Sequence, residues 1–343
     1  MTGEERQEPS YKRFLGKLNF IGKPACREKE SVTHSDHAPN DPILNPRTGY
    51  LGCLTNEQAK VLKAFQTRLA AEGLLPSTGL QERRKHDLNG SEDHKFTTSQ
   101  SWQDGEEACG HEDALQAYLA RSPENTQRVL LQYLRARDFN IDKAHALFCS
   151  TLLWRKQVRV CCIPLDANEH PAATFPFSLV PGARNHYGHR LVLGKMVRFE
   201  KQNVDREAFR AAVISFLERC CYGDLASTTD TSVEKASPWP HSTERFTVVF
   251  DLGDGFDVFH NTDLACYSDM ITLIQSHYPE RLGKVYIIHY SRYIHVFYRL
   301  LSPFIEEKTR AKIHWIPQTE IEQEFRRDFP IEHLPKFLGG QLE

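Results

Sequence analysis

Residues 278–316, YPERLGKVYIIHYSRYIHVFYRLLSPFIEEKTRAKIHWI, decide how the rest of the chain is read. Tyr278-Pro279-Glu280-Arg281 is a turn signal, because proline restricts the residue before it and cannot donate to a ladder, and Gly283 frees the backbone beyond. Residues 284–289 then read as a strand. Its core, Val285-Tyr286-Ile287-Ile288, is a continuous β-branched and aromatic run, the pattern of a central parallel strand covered on both faces. After it, Tyr293, Val296, Phe297, Leu300 and Leu301 recur at helical spacing while Arg292, His295 and Arg299 form a separate stripe, so one helix offers an oily face and a basic face. Ser302 and Pro303 predict a fresh helix start, a hydroxyl cap followed by proline at the first helical position, with Glu306 and Glu307 suited to the positive end of its dipole. Thr309 and Lys312 sit three apart on that helix and can converge on one ligand oxygen group. Another strand closes the stretch.

Working outward, strand candidates at 190–193 and 247–252 alternate with helical stripes at 205–221 (Phe209, Ala212, Val213, Phe216, Leu217) and 261–277, which argues for an α/β sheet. Residues 223–243, heavy in Ser, Thr and Pro, read as a surface loop. Nearer the N-terminus, Thr55 and Gln58 can form a capping box ahead of a helix with Leu62, Phe65 and Leu69 on one face. Three more helical patterns follow at 113–120, 126–137 and, after the Asp138-Phe139-Asn140 turn, 141–156. Residues 1–49 lack a sustained apolar period and read as a disordered tail. Residues 76–110 are polar with only scattered large apolar side chains, and read as a disordered insertion or linker.

YPERLGK, the block from Ser302-Pro303-Phe304 through KTRAKIHWI, and the terminal LPKFLGG resemble the lipid-binding domain of the CRAL-TRIO family, and in particular the secretory-pathway phosphatidylinositol transfer proteins. Residues 129–155, VLLQYLRARDFNIDKAHALFCSTLLWR, are similar to the small helical domain that precedes it. The resemblance implies an N-terminal helical domain from 50–75 and 111–160, then an α/β lipid-binding domain over 165–343 with a mainly parallel sheet as floor and a gate helix over an acyl-chain cavity. Residue by residue it places the family's inositol-phosphate contacts on Arg137, Glu280, Arg281, Thr309 and Lys312, and the gate on Arg292, Tyr293, Val296, Phe297, Leu300 and Leu301. Glu280 is expected to accept from inositol hydroxyls and to hold Arg281 in place. Two departures stand out. The family's Asn-Ala-Pro after the strand is His289-Tyr290-Ser291 here, and the positions of its choline-lipid contacts are Phe246, Val248 and Val192. The second ligand implied is therefore another hydrophobe: a sterol, an isoprenoid or, with His289 and Tyr290 nearby, haem.

Composition fits a carrier. The 43 basic and 45 acidic residues leave no broad charge for nucleic acid. The first ten residues, MTGEERQEPS, lack an apolar signal core, and no run of about 18 apolar residues occurs, so a cytoplasmic protein acting peripherally at endomembranes is expected. The nine cysteines show no C-x-x-C ligand spacing and read as reduced thiols. No catalytic or metal set is expected. Cys149 and Arg155 have the C-x5-R spacing of cysteine phosphatases but fall within a helix, Asp251-Leu252-Gly253-Asp254-Gly255 has the wrong spacing for a calcium loop, and His34 and His37 sit in the tail. The function expected is non-enzymatic phosphatidylinositol binding and transfer between membranes, or its presentation to a lipid kinase; the alternative is a carrier or sensor of another hydrophobic ligand.

Overall fold

Local capping chemistry sets where the first six helices begin. In the computed structural model, which describes residues 48–76, 113–164, 175–223 and 244–343, Thr55 opens α1 (Asn56–Ala71) with the expected reciprocal box: the Gln58 N–H donates to Thr55 Oγ1 and the Thr55 N–H to Gln58 Oε1. Asp113 caps α2 (Ala114–Arg121), and Ser122 with Pro123 caps α3 (Pro123–Ala136). That second cap starts α3 three residues ahead of the expected 126. Asp138 and Phe139 take left-handed backbone conformations before Asn140 caps α4 (Ile141–Val158). The buried face of α1 is the predicted one: Leu62, Phe65 and Leu69 meet Val129, Leu130, Leu134 and Phe148 of α3 and α4 in one core. The tail over 1–49, the insertion over 76–110 and the loop over 223–243 fall almost wholly outside the described residues.

The second part is a five-stranded sheet in the order β1 (Phe177–Arg184), β2 (Arg190–Lys195), β3 (Phe246–Asp251), β4 (Leu282–Ile288), β5 (Ile313–Trp315). Strands β2 to β5 are parallel and β1 runs antiparallel at the edge. The mainly parallel floor is thus as expected, and the strand of the opening stretch lies in its interior. Alternation divides β4: Val285 and Ile287 face one apolar cluster, Tyr286 and Ile288 the other. Gly283 lies within β4 rather than before it, and its absent side chain matters there, since a Cβ would stand 2.4 Å from His189 Nδ1.

Helices α5 (Arg206–Cys221) and α6 (Leu264–His277) cover the face bearing Val285, capped by Asp205 and Asp263. The other face is closed by Ile321, Phe325 and Phe329 on and just after α9 (Ile321–Asp328), with Leu334 and Leu338. Between them run α7 (Ile294–Leu301) and the single-turn α8 (Glu307–Arg310). The expected helix start at Ser302 is corrected. Ser302–Phe304 form a 3-10 turn without a side-chain cap, because Ser302 still carries helical backbone from α7, and α8 begins only after Glu306. Lys312 lies beyond α8 at the approach to β5, its N–H bound to Thr309 O.

The helical part is fastened to the sheet part by α4. Trp154 stacks on His277 at 4.0 Å, and burial together with the nearby Arg155 pushes that imidazole down to about 4, so it is neutral near pH 7. Arg155 itself reaches Glu218 on α5 and Asp113 at the start of α2.

Candidate functional site

Between the β2–β5 floor and helices α5, α6 and α7 lies a cavity of about 260 Å³. Val192, Val248, Val285 and Ile287 pave its floor, Phe216, Leu217 and Ile274 its walls, and Ile294, Phe297 and Leu301 of α7 its roof. Phe246, Val248 and Val192, the positions that replace the choline-lipid contacts, all line it. Among its lining residues Arg281 alone is charged.

Arg281 is 7% exposed. Its guanidinium lies 5.2 Å from the centre of the Tyr222 ring, and Nη1 makes a long 3.4 Å hydrogen bond to Glu244 O. Nε and Nη2 have no hydrogen-bond partner, and no carboxylate pairs with Arg281 among the described residues. A buried guanidinium keeps its proton at any working pH, so this cation is held without neutralisation in an apolar chamber.

The expectation that Glu280 holds Arg281 is corrected. Glu280 adopts a left-handed backbone (φ 59°), and its carboxylate is bonded instead by Arg245, with Arg135 Nε 3.9 Å away. Burial would raise the Glu280 carboxyl, but Arg245, Lys312 and Arg135 outweigh it and hold the group below the usual carboxylate value. Arg135 also pairs with Glu244 at 2.6 Å, and its guanidinium sits 4.0 Å over the Tyr50 ring. Glu280 is therefore a member of a charge-paired two-arginine, two-glutamate cluster, in which Arg245 Nε and Nη1, Arg135 Nε and Glu244 Oε1 are buried without a hydrogen-bond partner. The sequence reading missed Arg135, Glu244, Arg245 and Tyr50; the one signal available was the Glu244-Arg245 pair standing directly before a buried strand.

Lys312 donates to Leu282 O at 2.8 Å, next to Arg281. Burial, reinforced by the positive Arg245, lowers its ammonium to about 8. Thr309 lines the same chamber as Arg281. Four of the five expected headgroup residues thus gather at the corner where β4 begins and β5 approaches. Arg137 does not join them: it is the C-cap of α3, its guanidinium returns to Ala136 O at 2.9 Å, and the adjacent Asp138 reaches Lys308 at 2.9 Å.

A second, polar cleft of about 810 Å³ opens at the opposite ends of the strands, lined by Lys195, Asp251, Asp254, His289, Tyr290 and Gln318. His289, left-handed at φ 54°, is bonded to Asp251 Oδ1 at 2.7 Å. His289 and Tyr290 line this cleft, and neither is among the residues that line the apolar chamber. Asp251 Oδ1 also accepts from the Gly253 N–H, which makes the Asp251-to-Gly255 segment a strand-ending turn. Cys149 and Arg155 both lie inside α4 and form no phosphate loop.

A sequence model described as the CRAL/TRIO domain matches residues 178–340, and one described as the CRAL/TRIO N-terminal domain matches residues 61–150. Together they take in most of the chain. The chain belongs to the CRAL-TRIO family. Curated relatives are distant: CRAL-TRIO domain-containing protein T23G5.2 of Caenorhabditis elegans is 26% identical over 62% of this chain and 29% of that protein. Patellin-4 of Arabidopsis thaliana is 23% identical over 64% and 39%, and CRAL-TRIO domain-containing protein YKL091C of Saccharomyces cerevisiae is 26% identical over 62% and 69%. The chain spans about a third of the length of the nematode and plant relatives. A solved structure, "Crystal structure of Sfh5", aligns with a TM-score of 0.49 at 15% identity over 78% of this chain and 83% of that one. The family assignment rests on the two domain matches, and the architecture described above is that lipid-binding fold.

In this CRAL-TRIO chain the roof helix α7 has two apolar sides, which corrects the single oily face read from its spacing. Ile294, Phe297 and Leu301 point into the chamber. Tyr293, Val296 and Leu300 point outward at 51%, 43% and 51% exposure, with Phe304 beside them at 44%, so the outer side cannot be core packing. Arg292, His295 and Arg299 are all exposed, and the His295 ring also lies 4.5 Å from that of Trp315. Among the described residues no helix is long and apolar enough to cross a membrane.

Proposed function

We propose that this chain binds phosphatidylinositol and moves it between membranes, or presents it to a lipid kinase, as a carrier and not as an enzyme. The observation that carries this reading is Arg281, a buried guanidinium with two unmet N–H donors on the wall of an otherwise apolar cavity. A lipid phosphate is the ligand such a group lacks: it supplies the opposite charge and two acceptors in the planar geometry that guanidinium matches. Lys312 and the Thr309 hydroxyl stand at the same corner to complete the set. Glu280, already committed to Arg245 and Arg135, contributes by fixing that cluster and leaves the inositol hydroxyls its remaining acceptor capacity. Arg137 joins only if its side chain leaves the end of α3.

Acyl chains gain about 0.8 kcal/mol per methylene on leaving water, much the same in a protein cavity as in a bilayer, so the headgroup corner sets selectivity. The cavity, at about 260 Å³, lies just below the roughly 300–1,000 Å³ of ordinary ligand pockets. Loading a two-chain lipid therefore requires α7 to swing out, and its exposed Tyr293, Val296 and Leu300 with flanking arginines suit contact with the interface of a membrane. The site of action we infer is peripheral, at the cytoplasmic face of endomembranes.

The apolar Phe246, Val248 and Val192 favour a second ligand without a choline headgroup, such as a sterol or isoprenoid. Mass spectrometry of lipid extracted from the purified full chain tests the whole reading. Phosphatidylinositol is expected in the extract; a sterol or isoprenoid with no phospholipid would replace this function with the alternative carrier.

A further inference from the structure

Outside the lipid site, the end of α1 meets the outer side of α4 at Glu72, His145 and Cys149. One donor atom from each lies within 4.8 Å of the other two. His145 and Cys149 are four apart on one helix, so they project side by side, with Cys149 Sγ 3.7 Å from His145 Nε2. Glu72, the C-cap of α1, places Oε2 2.6 Å from the same Nε2. Its other oxygen accepts from Arg68 Nε at 3.2 Å, and Arg68 Nη1 is anchored to Asp142 at 2.8 Å, so the carboxylate is aimed at the imidazole by a second layer of contacts.

We propose that Glu72, His145 and Cys149 form a binding site for a borderline divalent cation, zinc by preference. Sulfur, imidazole nitrogen and a single carboxylate oxygen are a zinc-type set and not the all-oxygen set of calcium or magnesium. With metal–sulfur and metal–nitrogen bonds of about 2.3 and 2.0 Å, a tetrahedral site separates those two atoms by about 3.5 Å, close to the 3.7 Å seen here. The Glu72 oxygen has to withdraw from Nε2 by under about 1 Å to reach the corresponding edge. It is free to do so, because its side chain is 39% exposed. The fourth position faces solvent and takes water.

The change on binding balances without electron transfer. The Cys149 thiol gives its proton to solvent, the Nε2 proton is replaced at Nδ1 by exchange with solvent, and Glu72 trades its hydrogen bond to His145 for the metal. The cation thereby pins the C-terminal end of α1 to α4.

The test titrates the full chain, stripped with chelator and dialysed, with cobalt(II) as a spectroscopic stand-in. One equivalent should raise a thiolate-to-cobalt charge-transfer band with tetrahedral ligand-field bands, and zinc should displace it. Cys149→Ser should abolish the charge-transfer band. Glu72→Gln, at an exposed cap where folding is not at stake, should weaken cobalt binding about tenfold or more with unchanged helix content. No band in the wild-type chain overturns the proposal. So does a band that survives in Cys149→Ser, which would put cobalt on another thiol such as the vicinal Cys161 and Cys162.

Discussion

Arg155 and Arg281 are buried to nearly the same degree, at 4% and 7% exposure, and their guanidinium groups lie 5.8 and 5.2 Å from the same Tyr222 ring. Arg155 is saturated: Nη1 and Nη2 bond Glu218 at 2.8 and 2.7 Å, Nε bonds Asp113 at 2.9 Å, and the Tyr278 hydroxyl donates to Glu218 at 2.7 Å. Arg281 has one long bond to a carbonyl. Charge buried with its counter-charge is architecture; charge buried without one is a receptor for something brought from outside. Around one ring the same residue type thus stands in two states, paired in Arg155 and, among the described residues, without a carboxylate in Arg281, and the proposed function rests on the second.

The largest effect should fall on the saturated member. Arg155→Met leaves Glu218 buried and unpaired, and urea unfolding should show a loss of about 3–5 kcal/mol. A loss below about 1 kcal/mol would mean that the clamp between the helical and sheet parts is dispensable. Arg281→Met should behave in the opposite way. Unfolding stability stays level or rises, while affinity for phosphatidylinositol vesicles falls about tenfold to a hundredfold, as expected for two or more charge-assisted bonds. Binding that survives this change would remove Arg281 from the site.

Next comes pH. The Lys312 ammonium, lowered to about 8, is charged at neutral pH and should lose its pull on a phosphate as pH rises through that value, so lipid affinity should decline above about pH 8. Stability of the lipid-free protein should move the other way. Between about 8 and the ordinary 10.5 the unfolded chain binds the extra proton, so this residue adds stability as pH rises. Lys312→Met should erase both trends. The smallest effect is kinetic: Val296→Asp with Leu300→Asp, on the outward side of α7, should slow transfer between vesicles several-fold while leaving bound lipid unchanged. An equal loss of bound lipid would show that the outer side supports the closed roof.

How much of this could be read beforehand depends on the range of the interaction. The β4 run and the Thr55–Gln58 box are local patterns, and both elements form where their residues place them. Strand β1 was missed because Pro181 and Gly182 interrupt it, which only an antiparallel edge position tolerates. The Arg135–Glu244 pair joins residues 109 apart in sequence, and no local periodicity announces it. For α7, spacing marks which residues are apolar but cannot separate those facing a chamber from those facing outward, since both environments select the same side chains. Resemblance alone grouped Glu280, Arg281, Thr309 and Lys312, which no local periodicity links. That Glu280 serves the Arg245 cluster was not legible, because neither partner sits beside it in the chain.

The sheet is hollow on one side, while on the other Tyr286, Ile288, Phe325, Phe329, Leu334 and Leu338 pack into one buried cluster. A wall braced from behind cannot bow inward when its cargo departs. The volume change of loading and unloading must then be taken up by the roof, and amide exchange along β2, β3 and β4 should stay slow in filled and empty protein alike while that of α7 changes.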